Sequence, residues 1–375
     1  MLSHAAVMAG LRAILFSSGL TTEDLLVQWI PHHHDMGLFG HLSQILNGAE
    51  SHVFAPAWFL RHPDCLLRYM SDHRATTLTG PNFAYDLLCN AATPELVAEL
   101  DLSRWRIAFN GAEPISPVTV ARFADVFAPA GVAASVMYPV YGMAEATLPI
   151  TFPIPGSKPR VVLVDRDELA ACGTVTSVKH GHPRAKALVS VGSPVQGIHV
   201  RLVDGQGREL GTGRVGEIHI RGPMVTTGYL RDPQATGDLF DDGWLRTGDL
   251  GFRLGEDYFV AGRRKEMVVV NGCNYFPQDA EAVARTVPGV FRHRAVAVAD
   301  TSSDERECIG VIVETTADSM ARQQLRDEIL RRVVDALGMP YVQVYCVGPH
   351  WLTRTTSGKW RRLDAARKLH KEGRR

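Results

Sequence analysis

The chain has 375 residues, 45% of them hydrophobic and 21% charged, which suits a globular protein of about two or three domains and excludes a disordered one. Lysine plus arginine equals aspartate plus glutamate at 40 each, so no net field draws nucleic acid or an anionic membrane surface. The six cysteines (65, 89, 172, 273, 308 and 346) include no Cys-x-x-Cys pair and suit reduced thiols in a cytoplasmic protein, and no apolar run approaches the roughly 20 residues that span a bilayer.

Met1 to Leu15 sets Ala5, Ala6, Met8, Ala9, Leu11, Ile14 and Leu15 mostly on one side and is predicted as a helix. Ser17 to Thr22 is a turn without the second glycine or the Pro-Lys-Gly of a phosphate-binding loop, and Leu25 to Ile30 is an apolar strand. Pro31-His-His-His-Asp-Met-Gly37 follows as a polar loop end. On an extended chain only His32 and His34 share a face, and no ligand stands at helical spacing, which disfavours a metal site. Val53 to Phe59 reads as a buried strand and turn, Asp64 to Ser71 as a helix, and Thr76 to Asp86 as a strand entering a helix.

Trp105 to Phe109 and Val136 to Val140 are short strands that open into Asn110-Gly-Ala-Glu-Pro114 and Tyr141-Gly-Met-Ala-Glu-Ala-Thr147. Two such loops fit the crevice beyond the carboxyl ends of a parallel sheet. Residues 159–190 read as a strand, a short helix and a basic loop. Strands at His199 to Val203 and Gly216 to Arg221, separated by glycine turns, indicate a small β-barrel or a distorted sheet.

Trp244 to Gly251 places Asp249 on a glycine turn, and Gly262-Arg-Arg-Lys265 supplies three consecutive cations. A carboxylate accepts two hydrogen bonds at once, so Asp249 suits both hydroxyls of a ribose, and the cations suit a phosphate. The plain alternative is a surface hairpin with solvated charges. Beyond Lys265 the pattern predicts strands at 267–270, 295–299, 308–314 and 343–347 and helices at 277–286 and 320–337, a compact α+β unit of about a hundred residues. Thr355-Thr-Ser-Gly-Lys359 fails as a Walker loop, since Thr353 stands where the first glycine belongs and Trp360 where Ser or Thr belongs. The basic tail from Arg361 is either a solvated helix end or a docking surface for an acidic carrier protein.

These segments, with Asn274-Tyr-Phe-Pro-Gln-Asp279, resemble over nearly the whole chain the ordered motifs of the adenylate-forming superfamily of acyl-CoA synthetases, luciferases and peptide-synthetase adenylation domains. Within it the chain is most similar to the fatty acyl-AMP ligases. The resemblance implies an α/β fold. Residues 1–264 would be part of a large N-terminal adenylation domain, with parallel sheets, helices and a β-barrel-like subdomain at 188–262. A branch-specific insertion would occupy 159–190, and a small mobile α+β domain, 265–375, would rotate about Lys265.

The resemblance further implies nucleotide binding by Asn110, Gly111, Ala112, Glu113, Tyr141, Gly142, Met143, Asp249 and Arg263, with the Tyr141 ring on the base. It implies an acyl pocket lined by His34, Met36, Gly37 and Phe83, Mg2+ associated with Glu145, and Lys359 neutralising charge between the acid and the α-phosphate. ATP and a fatty acid would be the substrates and an acyl carrier protein the acceptor, in a lipid, polyketide or nonribosomal peptide pathway. Leu2-Ser-His4 matches the segment just after the family's phosphate loop, so that loop is expected in a separate or upstream N-terminal segment. Two departures stand out: Ala144 replaces the wider superfamily's threonine, and Cys273 replaces an arginine common in the branch. An acyl-CoA ligase and a non-catalytic nucleotide- or acyl-binding module are the alternatives.

Overall fold

Helix α1 (His4–Ser18) starts where the Ser3 hydroxyl accepts the Ala6 N–H and stops at Gly19, whose left-handed conformation closes the last turn. These caps move it three residues beyond the expected span. The computed structural model describes residues 1–301, 307–339, 341–355 and 360–372. Five strands follow: β1 (Leu25–Gln28), β2 (Glu50–Val53), β3 (Thr77–Gly80), β4 (Ile107–Asn110) and β5 (Met137–Pro139). They pair in parallel in the order β2-β1-β3-β4-β5. The crossovers are α2 (Asp35–Asn47), α3 (Pro56–Arg61) with α4 (Pro63–Asp72), α5 (Asn82–Ala91) with α6 (Pro94–Glu99), and α7 (Pro117–Phe127). Val27, Leu78 and Ala108 are wholly buried, as expected of parallel strands covered on both faces.

Two expectations are corrected here. The polar loop end covers only residues 31–34, and Asp35 to Gly37 already belong to α2, because the His34 ring nitrogen Nδ1 accepts the Met36 N–H and caps the helix. Gly37 and Gly40 weakened the helical signal in the sequence. The buried strand expected at 53–59 is instead β2, a partly exposed edge strand, followed by α3 with Pro56 in its first turn.

A three-stranded sheet, β10-β7-β6, abuts this layer and comprises β6 (Tyr141–Met143), β7 (Leu148–Phe152) and the later β10. Between β7 and β10 the 159–190 excursion forms β8 (Val161–Asp165), α8 (Arg166–Cys172) and β9 (Ala185–Val189), and β10 is Ser193–Pro194. The basic loop thus ends in a strand that pairs antiparallel with β8. Next come β11 (His199–Val203), β12 (Gly216–Arg221), α9 (Pro233–Leu239), β13 (Phe240–Asp241), β14 (Trp244–Leu254) and β15 (Asp257–Arg263). They make a five-stranded antiparallel sheet, β11-β12-β14-β13 with β15 on β14, whose register shifts at Glu217/His219 and at Leu250/Gly251. Asp249 is therefore not on a turn. It lies within β14, opposite Arg263 of β15.

The remaining elements are β16 (Val268–Val270), β17 (Cys273–Tyr275), α10 (Pro277–Arg285), β18 (Ala295–Thr301), β19 (Glu307–Glu314), α11 (Ser319–Leu337), β20 (Val342–Val347) and α12 (Arg362–Lys371). Buried apolar side chains separate into clusters that end at Phe259 and clusters that begin at Val268. The excursion touches the later residues: Lys186 Nζ pairs with Asp279 at 2.6 Å, and Arg166 donates to the Ala336 carbonyl.

Asp24, 3% exposed, ties the α1–β1 turn to the sheet. Its carboxylate accepts from Arg106 Nε at 2.6 Å, the Thr76 hydroxyl at 2.7 Å and the Thr21 N–H at 2.7 Å. Burial pushes this carboxyl up, and the Arg106, Thr21 and Thr76 bonds reverse that and hold it below the usual range. A carboxyl depressed in the folded state stabilises above its unfolded pKa and loses that contribution as pH falls through the folded one. Asp24→Asn is therefore expected to cost about 2–3 kcal/mol at neutral pH. The difference should shrink below about pH 4, and urea unfolding at the two pH values measures both.

Candidate active site

The carboxyl ends of the parallel strands deliver most of the expected site residues to one edge. His34 follows β1, Phe83 follows β3, Asn110 to Glu113 follow β4, and Tyr141 follows β5. In the order β2-β1-β3-β4-β5 the chain reverses its direction of winding between β1 and β3, where open α/β sheets bind ligands. Asn110 is wholly buried. A Cβ at Gly111 would lie 2.9 Å from Val140 Cγ2, so a side chain there would push Val140 aside. Glu113 Oε1 accepts the Phe83 N–H at 2.6 Å, and burial pushes its carboxyl up despite that bond.

The Tyr141 hydroxyl donates to Asp249 Oδ2 at 2.8 Å, and Arg263 Nε donates to Asp249 Oδ1 at 2.9 Å. Asp249 is 7% exposed, and its own N–H is held by the Thr247 hydroxyl. Burial and the adjacent carboxylate push the Tyr141 phenol well above its usual range, while the bond to Asp249 raises Arg263. A carboxylate has about four lone-pair sites, so Asp249 keeps acceptor capacity beyond these partners. The three cations do not act as one cluster. Arg263 holds Asp249, Arg264 pairs with buried Glu217 at 2.7 Å, and Lys265 is exposed on the turn after β15.

Glu145, four residues beyond Tyr141, accepts the Tyr229 hydroxyl at 2.7 Å. Burial and that bond push Tyr229 up to about 12. Met143 is half-buried beside the main core, whereas Met36 lies within it. A Cβ at Gly37 would collide with the Pro31 carbonyl oxygen, so that position serves close backbone approach. Ala112 takes a left-handed conformation, φ 65°. Lys359 lies outside the described residues. Sequence reasoning missed Tyr229 and Arg354. Tyr229 sits in irregular chain 84 positions from its partner and gave no periodic signal. Arg354 stands next to the Thr355–Lys359 motif, and that adjacency was the available clue.

A family model described as AMP-binding enzyme matches residues 1–230. The chain belongs to the AMP-binding enzyme family. Among curated AMP-binding relatives, a medium-chain-fatty-acid–[acyl-carrier-protein] ligase of Teredinibacter turnerae is 32% identical over 96% of this chain and 59% of its own length. A 4-hydroxyphenylalkanoate adenylyltransferase of Mycobacterium tuberculosis is 34% identical over 92% of this chain and 58% of its own. The chain thus spans about three-fifths of the length of these relatives. A solved structure from work on fatty acyl-adenylate ligases of E. coli and L. pneumophila superposes with a TM-score of 0.91 at 31% identity, covering 99% of this chain and 67% of that one.

Gly142 lies where β6 pairs with β7. A Cβ there would run into the Leu148 carbonyl oxygen and part β6 from β7. Gly142→Ala is expected to cost about 3 kcal/mol by overpacking, read as a lower urea midpoint at unchanged m-value.

Proposed function

We propose that the chain takes part in forming an acyl-adenylate from a fatty acid and ATP, for transfer to the phosphopantetheine thiol of an acyl carrier protein. The observation that carries this reading is the Tyr141–Asp249–Arg263 network, set where the parallel sheet's carboxyl edge meets the antiparallel sheet. Asp249 takes the ribose hydroxyls, with Arg263 fixing the plane of its carboxylate. Tyr141 and the Asn110–Glu113 loop surround the base, and Phe83 with the α2 entry at His34 lines the acyl side. A carboxylate oxygen of the acid attacks the α-phosphorus and forms the new P–O bond. The bond from that phosphorus to the bridging oxygen breaks, and pyrophosphate leaves with the electron pair. No protein nucleophile is needed, so catalysis rests on positioning and electrostatics.

Glu145 fits a magnesium ion: Tyr229 engages its Oε1 and leaves the other oxygen, and a hard cation commonly joins one carboxylate to substrate phosphates. When bound, Mg2+ offsets phosphate charge. Lys359 stabilises the charge developing between acid and α-phosphate. Residues 265–375 act as a separate unit turning at Lys265, a division supported by the apolar clusters that part between Phe259 and Val268. Lys186–Asp279 and Arg166–Ala336 then let the excursion brace that unit, which supports an adenylate product over a coenzyme A thioester. The relatives' names, a fatty-acid–carrier-protein ligase and an adenylyltransferase, agree with this reading.

Calorimetry with AMP tests the nucleotide site. Asp249→Ala is expected to weaken AMP by about 10- to 150-fold, the loss of hydrogen bonds to a charged acceptor. Unchanged AMP affinity would sink the assignment. Lys359→Ala is expected to slow adenylation by about 10²- to 10³-fold while leaving AMP affinity as it was.

A further inference from the structure

We propose that Arg354 receives the carboxylate of the acid substrate; the identity of that acid rests on the acyl-adenylate reading above. Arg354 follows β20 and pairs by a backbone bridge with Trp360. Its guanidinium carbon stands 4.0 Å from the Trp360 ring centroid and 5.1 Å from that of Phe83. Rings from distant parts of the chain thus flank the cation, and cation–π contacts hold a guanidinium without engaging its N–H donors.

The donors have no anion of their own. Among the described residues no ion pair joins Arg354 to a carboxylate. The two carboxylates whose fields reach it, Glu113 and Glu281, are engaged elsewhere. Glu113 accepts the Phe83 N–H, and Glu281 pairs with Arg285 and Arg362 at 2.8 Å each. Arg354 is also accessible to solvent. Even so, surrounding protein, and then Arg285 and Arg294, push its pKa down to about 10. Access combined with desolvation describes the wall of a cleft, where an incoming anion restores the charge balance.

Location selects the anion. Phe83 follows β3, at the switch point of the parallel sheet and on the acyl side of the reading above, whereas the nucleotide network hangs from β6, β14 and β15. The cation is on the acyl side. A carboxylate matches a guanidinium fork with two parallel hydrogen bonds, and Arg354 would hold the acid by the group that reacts.

Titration of the full chain with decanoate and with decan-1-ol, with and without AMP, tests this. The wild type is expected to bind decanoate at least tenfold more tightly than the alcohol. Arg354→Met is expected to abolish that preference with AMP affinity retained. Arg354→Lys keeps the charge, loses the planar fork and should fall between; it decides the matter if the methionine variant does not fold. Equal binding of acid and alcohol by the wild type, or a preference as large as the wild type's in either variant, overturns the proposal. So does a loss confined to inorganic pyrophosphate, which would give the cation to a phosphoryl group. A wild type that holds decanoate through Arg354 yet ignores AMP refutes the adenylate reading and leaves this one standing.

Discussion

The bond from the Tyr141 hydroxyl to Asp249 joins two residues 108 positions apart and two separate antiparallel sheets, one of three strands and one of five. Tyr141 opens β6, just beyond the last strand of the parallel sheet, and Asp249 lies within β14. Holding them together takes a buried carboxylate whose charge is met from both sides, by a phenol and by Arg263. Burying such a charge without partners would be costly, so the two layers and the hairpin bearing Arg263 are mutually required.

Close backbone approach serves the same end. Gly111 lies against Val140 and Gly142 against Leu148, so the loops after β4 and β5 are held with no side chain between them. The loops are thereby rigid where ligands would meet them, as expected of a site carried on the ends of strands. Lys265 differs in being exposed and outside the network.

The later part of the chain meets both this edge and the 159–190 excursion. Arg354 over Phe83, Lys186 with Asp279 and Arg166 with Ala336 are polar or cation–π, and the apolar clusters on either side share no residue. Polar contacts of this kind break and re-form at small cost compared with apolar cores.

The residue pattern by itself determined the alternation of short apolar strands with helices, the strand-to-glycine-loop transitions at Asn110 and Tyr141, and nearly all elements beyond Lys265, because these depend on local periodicity and turn chemistry. The residue chemistry only permitted a ligand at Asp249 and Arg263, and the resemblance to the adenylate-forming enzymes set them in one expected site. The residue pattern misread the entry to α2, where a histidine cap and two glycines hid a helix, and it put Asp249 on a turn. Only the tertiary structure decided that Arg263 faces Asp249 while Arg264 turns to Glu217, that Tyr229 meets Glu145, and that Arg354 crosses to Phe83. Such pairings depend on strand register and on layers meeting across long stretches of chain, and neither leaves a local trace in the order of residues.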